Sequence, residues 1–135
     1  MALQYSVTVR NAQLDALETA VGTSAVLKIR SGSAPANCAA ADTGTVLATL
    51  NLPSDWMAAA SSGSKAKSGT WEDAAADATG TAAHWRLYAS DGTTCHAQGT
   101  ITATGGGGDM TLDNTSVATG QTVTVTSFTI SAGNA

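Results

Sequence analysis

Residues 109–130 have the sequence DMTLDNTSVATGQTVTVTSFTI, which is the densest run of β-branched residues in the chain. The segment predicts two strands joined by a glycine turn. In the second strand Val123 and Val125 alternate with threonines, so the two valines point to one face of the sheet. The alternation slips by one residue before Phe128, and such a slip predicts a β-bulge near Thr126–Ser127.

This segment is predicted to supply the rigid centre of the molecule. Phe128 is the only phenylalanine in the chain, and we expect it to be a core residue together with Val125. Surfaces that contact other molecules are then expected elsewhere, in the N-terminal segment and in the loops.

The composition indicates a single domain with few large side chains. The chain has 135 residues, of which 4% are aromatic and 12% charged, and its apolar residues are mostly small. No segment is long and apolar enough to span a membrane, and the N-terminus lacks the basic and apolar regions of a signal peptide. We therefore expect synthesis in a cytoplasm and no membrane partner.

The charge pattern disfavours nucleic acid as a direct partner. Six Lys and Arg residues against ten Asp and Glu residues give a formal charge of −4. Binding to phosphates requires clustered cations. The cations of this chain are scattered: Arg10, Lys28, Arg30, Lys65, Lys67 and Arg86.

The N-terminal residues 1–22 contain the best helix candidate. A helix over residues 3–22 would place four apolar residues on one face and end at Gly22, a suitable C-cap; these residues are Val7, Leu14, Leu17 and Val21. Residues 4–9 also alternate like a strand, in which case the helix would begin near Asn11 as N-cap. The helix could cover an edge of its own sheet, or it could be an arm that docks on a neighbouring subunit.

Residues 23–135 are expected to form a β domain. Alternating segments predict strands at residues 25–30, 45–52, 70–74, 81–89 and 94–104, and Asp91-Gly92 predicts a tight hairpin turn. Residues 54–60 could form one helical turn, residues 61–68 a flexible loop, and Gly105–Gly108 a flexible hairpin connection. Many short strands and one helix predict an antiparallel, jelly-roll-like β-sandwich with an N-terminal helix or arm.

Two cysteines, Cys38 in a loop and Cys95 on a strand, leave two alternatives. They could form one disulfide, because a protein made reduced in a cytoplasm can oxidise after its release. They could instead be two small buried hydrophobic residues, and this is the default interpretation.

The polar residues do not predict a catalytic or metal site. His84 and His96 flank the Asp91-Gly92 turn and could face each other, but Cys95 and His96 are neighbours on a strand and point to opposite faces. No Gly-x-Ser-x-Gly motif is present, and a Ser-His-Asp set could be assembled only from unrelated loops. We predict no catalytic residue, no metal and no cofactor.

Three tryptophans lie in three different segments. The default interpretation is that all three belong to a shared core cluster, and Trp85 is expected in the core. Trp56 is left open, because Trp56 and Met57, next to Pro53, could instead be an exposed contact, and Trp and Met are enriched at interfaces. The candidate interface residues are Tyr5, Val7, Leu14, Leu17, Trp56 and Met57.

Several segments together carry a resemblance to a known class of proteins. They are MALQYSVTVRNA (1–12), LDALE (14–18), GSAPAN (32–37), TGTVLA (43–48), GTAAHWRLY (80–88), and the stretch from Gly99 through the Gly-rich turn to DMTLD (109–113). In style and order the chain resembles small virion proteins of tailed bacteriophages, and most of all head decoration or cement proteins.

The resemblance implies a β-sandwich component of the virion that binds the outside of the capsid. Such proteins form small oligomers at symmetry axes, here a homodimer or homotrimer, and brace joints between major capsid protein subunits. The family brings no catalytic residues. The alternatives are a tail or head-fibre module that binds host glycans and, less favoured, a small hydrolase.

Overall fold

A computed structural model describes residues 2–135. One helix, α1, covers Val7–Val21 in this part of the chain. The strands are β1 Val26–Arg30, β2 Val46–Asn51, β3 Ser64–Ala66, β4 Trp71–Asp73, β5 Gly80–Thr81, β6 His84–Tyr88, β7 Cys95–Ala103, β8 Met110–Leu112, β9 Ser116–Val117, β10 Val123–Val125 and β11 Thr129–Ser131.

Helix α1 begins earlier than the alternative start at Asn11. The Ser6 hydroxyl caps the helix by accepting from the Val9 amide at 3.3 Å, a local bond that favours helix over strand here. Asn11 therefore lies inside the helix, where its side-chain oxygen accepts from the Gly63 amide at 2.8 Å. The predicted C-cap is confirmed, because Gly22 has a φ of 89° and its amide donates to the Glu18 carbonyl.

Five strands form the main sheet in the order β2-β1-β6-β7-β8. The β2-β1, β1-β6 and β6-β7 pairs are antiparallel. Strand β1 lies between β2 and β6, and its Leu27 and Ile29 are fully buried on the core face, as their alternation predicted. The chain is thus mainly β with one N-terminal helix.

The last pair of the sheet, β7 and β8, runs parallel, so the predicted antiparallel hairpin through Gly105–Gly108 is wrong. The glycines fold back tightly onto β7 instead: the Gly108 amide donates to the Thr102 hydroxyl at 3.0 Å. A Cβ on Gly108 would lie 2.8 Å from the Thr102 amide nitrogen, so only glycine allows this approach. Asp109 then accepts from the amide of Thr100 and fixes the return.

The slip in the alternation near Thr126 marks a change of partner rather than the predicted bulge within one strand. Strand β10 pairs with β4, whereas β11 pairs with β3. Residues 126–128 lie between the two ladders, and the Phe128 side chain enters the core there. The predicted burial of Val125 and Phe128 is confirmed, with 0% and 8% of their surface exposed.

Residues 54–68 also differ from the prediction. Residues 54–60 form no helical turn but an extended segment, in which Met57 bridges Lys67. Part of the predicted flexible loop is strand β3, with Lys65 buried. The reason is burial: Trp56 and Met57 point into the core, and the Trp56 indole donates to the Gly22 carbonyl at 2.9 Å.

A row of aromatic rings connects the main sheet to the smaller strand pairs. The centroid distances are 6.1 Å for Trp56–Trp71, 5.7 Å for Trp71–Phe128 and 5.5 Å for Trp85–Phe128. Gly99 lies opposite Trp85 in the β6–β7 register, where a Cβ would come within 2.8 Å of the indole. Within residues 2–135, no helix has both the length and the apolar character needed to cross a membrane.

Replacing Phe128 with Ala should lower the free energy of unfolding by about 3–5 kcal/mol, because the ring joins Trp71 to Trp85 and its loss leaves a cavity between them. Urea denaturation measures the change, and Thr126→Ala, at an exposed position beside it, is the matched control. A Phe128→Ala variant as stable as the control would show that the ring is not central to the core.

Candidate functional site

The N-terminal segment presents an apolar surface. Among residues 2–135, the exposed large hydrophobic side chains are Leu3, Val7 and Val9, with 66%, 45% and 42% of their surface accessible. All three lie within seven consecutive positions at the start of the chain and of α1. Val7 and Val9 are two positions apart on the helix and therefore point to opposite sides of it. The start of α1 thus exposes apolar side chains in more than one direction, and apolar side chains concentrated in one short segment are typical of a contact region.

The six candidate interface residues fall into two groups. Val7 is exposed and Tyr5 is half-buried, with its amide donating to the Asn134 carbonyl at 2.6 Å. These two residues belong to the accessible N-terminal surface. The surface also includes Leu3 and Val9, which the sequence pattern did not single out.

The other four candidates pack inside the chain itself. Trp56 and Met57 have 0% and 1% of their surface exposed, and Leu14 is buried under α1. Leu17 is half-buried against the core. These side chains therefore hold α1 and residues 54–57 to the β framework, and none of them lies on the open surface of the isolated chain.

A groove of about 560 Å³ runs between α1 and the segment from Ser54 to Lys65. Acidic groups and hydroxyls dominate its lining: Asp15, Glu18, Thr19, Gly22, Thr23, Ser54, Asp55, Met57, Ala59 and Lys65. The groove is lined by the second half of α1 and by residues after it, whereas the exposed valines lie in the first turn of the helix.

Lys65 is the buried centre of this groove. Its ammonium lies 2.7 Å from Asp15 Oδ1 and 3.0 Å from Glu18 Oε2, and only 3% of its side chain is exposed. Asp15 also accepts from the Ala60 amide at 3.0 Å. The two carboxylates, one turn apart on α1, thus fasten the helix to the β3 hairpin.

The charges in the groove are fixed by these contacts. The hydrogen bond from Lys65 holds the pKa of Asp15 below its usual value. Burial alone would lower the pKa of Lys65, but the bonds to Asp15 and Glu18 outweigh it and raise that pKa. Lys65 therefore stays protonated at neutral pH, which suits a structural cation and not a nucleophile.

A second polar cluster lies on the opposite side of β1, where residues 31–44 cross the main sheet. Arg86 donates to the carbonyls of Cys38 at 2.8 Å and Ala40 at 3.2 Å, and it forms an ion pair with Asp42. Arg30 binds the other oxygen of the same carboxylate at 2.9 Å. One loop carboxylate thus neutralises part of the charge of two buried guanidinium groups.

Tyr88 completes this cluster, with its hydroxyl donating to Asp42 at 2.7 Å. Burial would raise the pKa of Asp42, but Tyr88, Arg30 and Arg86 together lower it. Burial and the Asp42 carboxylate raise the pKa of Tyr88 to about 12. The cluster holds residues 31–44 in place through charge-assisted bonds.

Both cysteines lie beside this cluster as half-buried free thiols. Arg86 donates to the Cys38 carbonyl at 2.8 Å, and its positive charge also acts on the Cys95 thiol. Burial raises the pKa of the Cys95 thiol, the neighbouring Cys38 thiol raises it further, and Arg86 opposes the shift. The structure thus brings together two residues that are far apart in the sequence.

The two histidines do not face each other. The β6–β7 register places Thr100 opposite His84, and His96 is exposed near the start of β7. His84 is buried, and its Nδ1 bonds to the Gly32 carbonyl at 2.7 Å, which makes Nδ1 the donor. Across residues 2–135, no group of three or more His, Cys, Asp or Glu side chains is arranged to hold a metal ion.

No family model, no curated protein and no solved structure matches this chain. The roles of Lys65, Asp42 and Arg86 were missed by the sequence patterns, which placed Lys65 in a flexible loop over residues 61–68. The available signal was weak: in a chain with only six Lys and Arg residues, an arginine inside an apolar strand is a candidate for a buried ion pair.

Replacing Asp42 with Asn should lower the free energy of unfolding by about 1–3 kcal/mol at pH 7, because Arg30 and Arg86 lose their counter-charge. The value lies below that of a fully buried pair because 41% of the Asp42 side chain is exposed. Denaturation at several pH values measures the change, with Asp55→Asn as the matched control at an exposed, unpaired position.

The difference between Asp42→Asn and the unchanged chain should depend on pH. The folded state lowers the Asp42 pKa from 3.8, so the stabilisation is complete above that pH and is lost as pH falls through the folded pKa. The two chains should therefore begin to converge below about pH 4 and become alike once the pH is below the folded pKa. A difference that stays constant down to acid pH would show that the carboxylate charge is not responsible.

Replacing Lys65 with Met should lower the free energy of unfolding by about 1–3 kcal/mol, because Asp15 and Glu18 are left facing each other without a cation. Hydrogen exchange at the Ala60 amide should become faster in the same variant, since its acceptor Asp15 is no longer held. Lys67→Met, which removes a half-exposed lysine from the same segment, is the control and should change neither quantity appreciably.

Proposed function

We propose that this chain is a bacteriophage virion structural protein, a capsid decoration or cement protein that binds the outside of the major capsid protein lattice and stabilises the head. The observation that carries the proposal is the concentration of exposed apolar side chains, Leu3, Val7 and Val9, in the N-terminal segment. These side chains give a protein with a closed core one defined place at which to contact another protein. The resemblance of the sequence to small virion proteins supplies the identity of that neighbour.

The use of charge in the molecule supports the same proposal. Each of the six Lys and Arg side chains donates a hydrogen bond within the chain, so the cations serve the fold. Binding a polyanion would require cations on the surface, and here the cations serve the fold. A partner that contacts the exposed apolar side chains therefore fits the chain better than a polyanion does. The partners in this proposal are the major capsid protein and other copies of the chain, in a homodimer or homotrimer.

The mode of attachment in this proposal is repeated weak contact. The exposed apolar surface is small, and one copy alone would bind a partner weakly. A small oligomer at a symmetry axis engages several capsid subunits at once, and its overall affinity then exceeds that of each contact by a large factor. The protein is made in the host cytoplasm and ends in the virion, and it needs neither a catalytic residue nor a cofactor. We also propose that the β strands of the chain form a jelly-roll-like sandwich.

Purified chain mixed with undecorated phage heads should sediment with them and raise the temperature at which they release DNA. Val7→Asp should reduce the bound fraction at least about tenfold, because a charge would be buried in the contact. The aspartate stands in the first turn of α1, where an acidic residue favours the helix, so the fold should be kept.

Thr126→Asp, the same added charge at an exposed position away from α1, should bind heads like the unchanged chain. Heads that neither bind the chain nor gain heat resistance would refute the cement function. Binding to isolated tails in place of heads would favour the tail or head-fibre alternative.

A further inference from the structure

Residues 31–44 lie across β6 and β7 as a long irregular connection between β1 and β2. They are held to the sheet by Arg86, whose guanidinium reaches the carbonyls of Cys38 and Ala40 and the carboxylate of Asp42. This contact sets Cys38 over the first residues of β7. Cys95 is the first residue of that strand and pairs with Tyr88 in the register.

The two cysteines lie on the same side of the sheet. Cys95 pairs with Tyr88 in the β6–β7 register, so its side chain lies on the face from which Arg86 binds the Cys38 carbonyl at 2.8 Å. On that face the Gln98 side chain also donates to a carbonyl of the connection at 2.7 Å, which holds the connection against β7 itself. The Cys38 thiol raises the pKa of Cys95, in agreement with this placement, and both residues are partly exposed.

We propose that Cys38 and Cys95 form an oxidation site that closes into an intramolecular disulfide by exchange with a low-molecular-weight disulfide such as oxidised glutathione. One thiolate attacks the reagent, forms a mixed disulfide and releases one glutathione thiol. The second thiolate attacks the protein sulfur of that mixed disulfide and releases the other glutathione thiol. The protein loses two protons and two electrons, and the reagent gains them.

The disulfide would convert the polar attachment of residues 31–44 into a covalent one. In the reduced chain these residues depend on Arg86 and Asp42, and the connection carries no strand or helix of its own. A bond from Cys38 to Cys95 closes a long loop in the unfolded chain, which is the situation in which a disulfide stabilises most. The chain would therefore fold and assemble reduced in a cytoplasm and become fixed after release. This inference does not depend on the proposed attachment to capsids.

The experiment uses the unmodified chain, equilibrated in buffers with varied ratios of reduced to oxidised glutathione and then quenched with an alkylating agent. With the two forms at equal concentration, most molecules should lack alkylation and should have lost two hydrogen atoms by intact mass. The melting temperature of this form should exceed that of the reduced form by about 10 °C. Hydrogen exchange within residues 31–44 should slow at least about tenfold.

Cys38→Ser and Cys95→Ser serve as matched controls, because each keeps one thiol and so cannot close the bond. Both should acquire one glutathione, and their melting temperatures should not rise with oxidation. Three results with the unmodified chain would overturn the proposal: thiols that remain fully alkylated, a glutathione adduct that persists on one cysteine, or a disulfide that joins two molecules. Each of them would mean that the sulfur atoms do not reach each other in the folded chain.

Discussion

The contact of Phe128 with Trp71 and Trp85 is the interaction on which the rest of the structure depends. Aliphatic side chains fill most of the core, and the chain has few aromatic rings with which to join separate elements. Phe128 touches an indole from the main sheet on one side and an indole from β4 on the other. Trp56 extends the row to the end of α1 through its bond to the Gly22 carbonyl. Four rings thus align the helix, the sheet and the smaller strand pairs.

The parts of the fold that the sequence predicted are those in which a local pattern decides the outcome. Leu27 and Ile29 alternate with cations, and β1 forms as expected with these two side chains in the core. The Asp91-Gly92 turn and the long strand β7 were predictable for the same reason, because turn chemistry and alternation are both local properties of the sequence. The helix was also predictable, although its start was not. The Ser6 hydroxyl accepts a hydrogen bond from the Val9 amide, and this short-range bond outweighed the strand-like alternation of residues 4–9.

The parts that could not be predicted depend on partners distant in sequence. Lys65 is buried because Asp15 and Glu18, about fifty positions earlier, neutralise it, and no pattern around Lys65 indicates this. Asp42 meets Arg86 in the same way, across more than forty positions. The sequence therefore predicted only part of the candidate site. Val7 is exposed and Tyr5 is half-buried, whereas the Trp56 and Met57 side chains are buried in the core. A tryptophan looks the same in a sequence whether it will meet a partner or its own chain.

The way in which Arg86 holds residues 31–44 has a consequence for mutational tolerance. Its neutral partners in the loop are main-chain carbonyls, which every amino acid provides. Apart from the Asp42 carboxylate, the acceptors that the loop offers to Arg86 are therefore main-chain carbonyls and not side chains. Their positions depend on the course of the backbone. Substitutions along the connection can accumulate without loosening it, as long as the backbone keeps its course. Such a loop is suited to display a foreign epitope, because the framework constrains its shape and leaves most of its chemistry free.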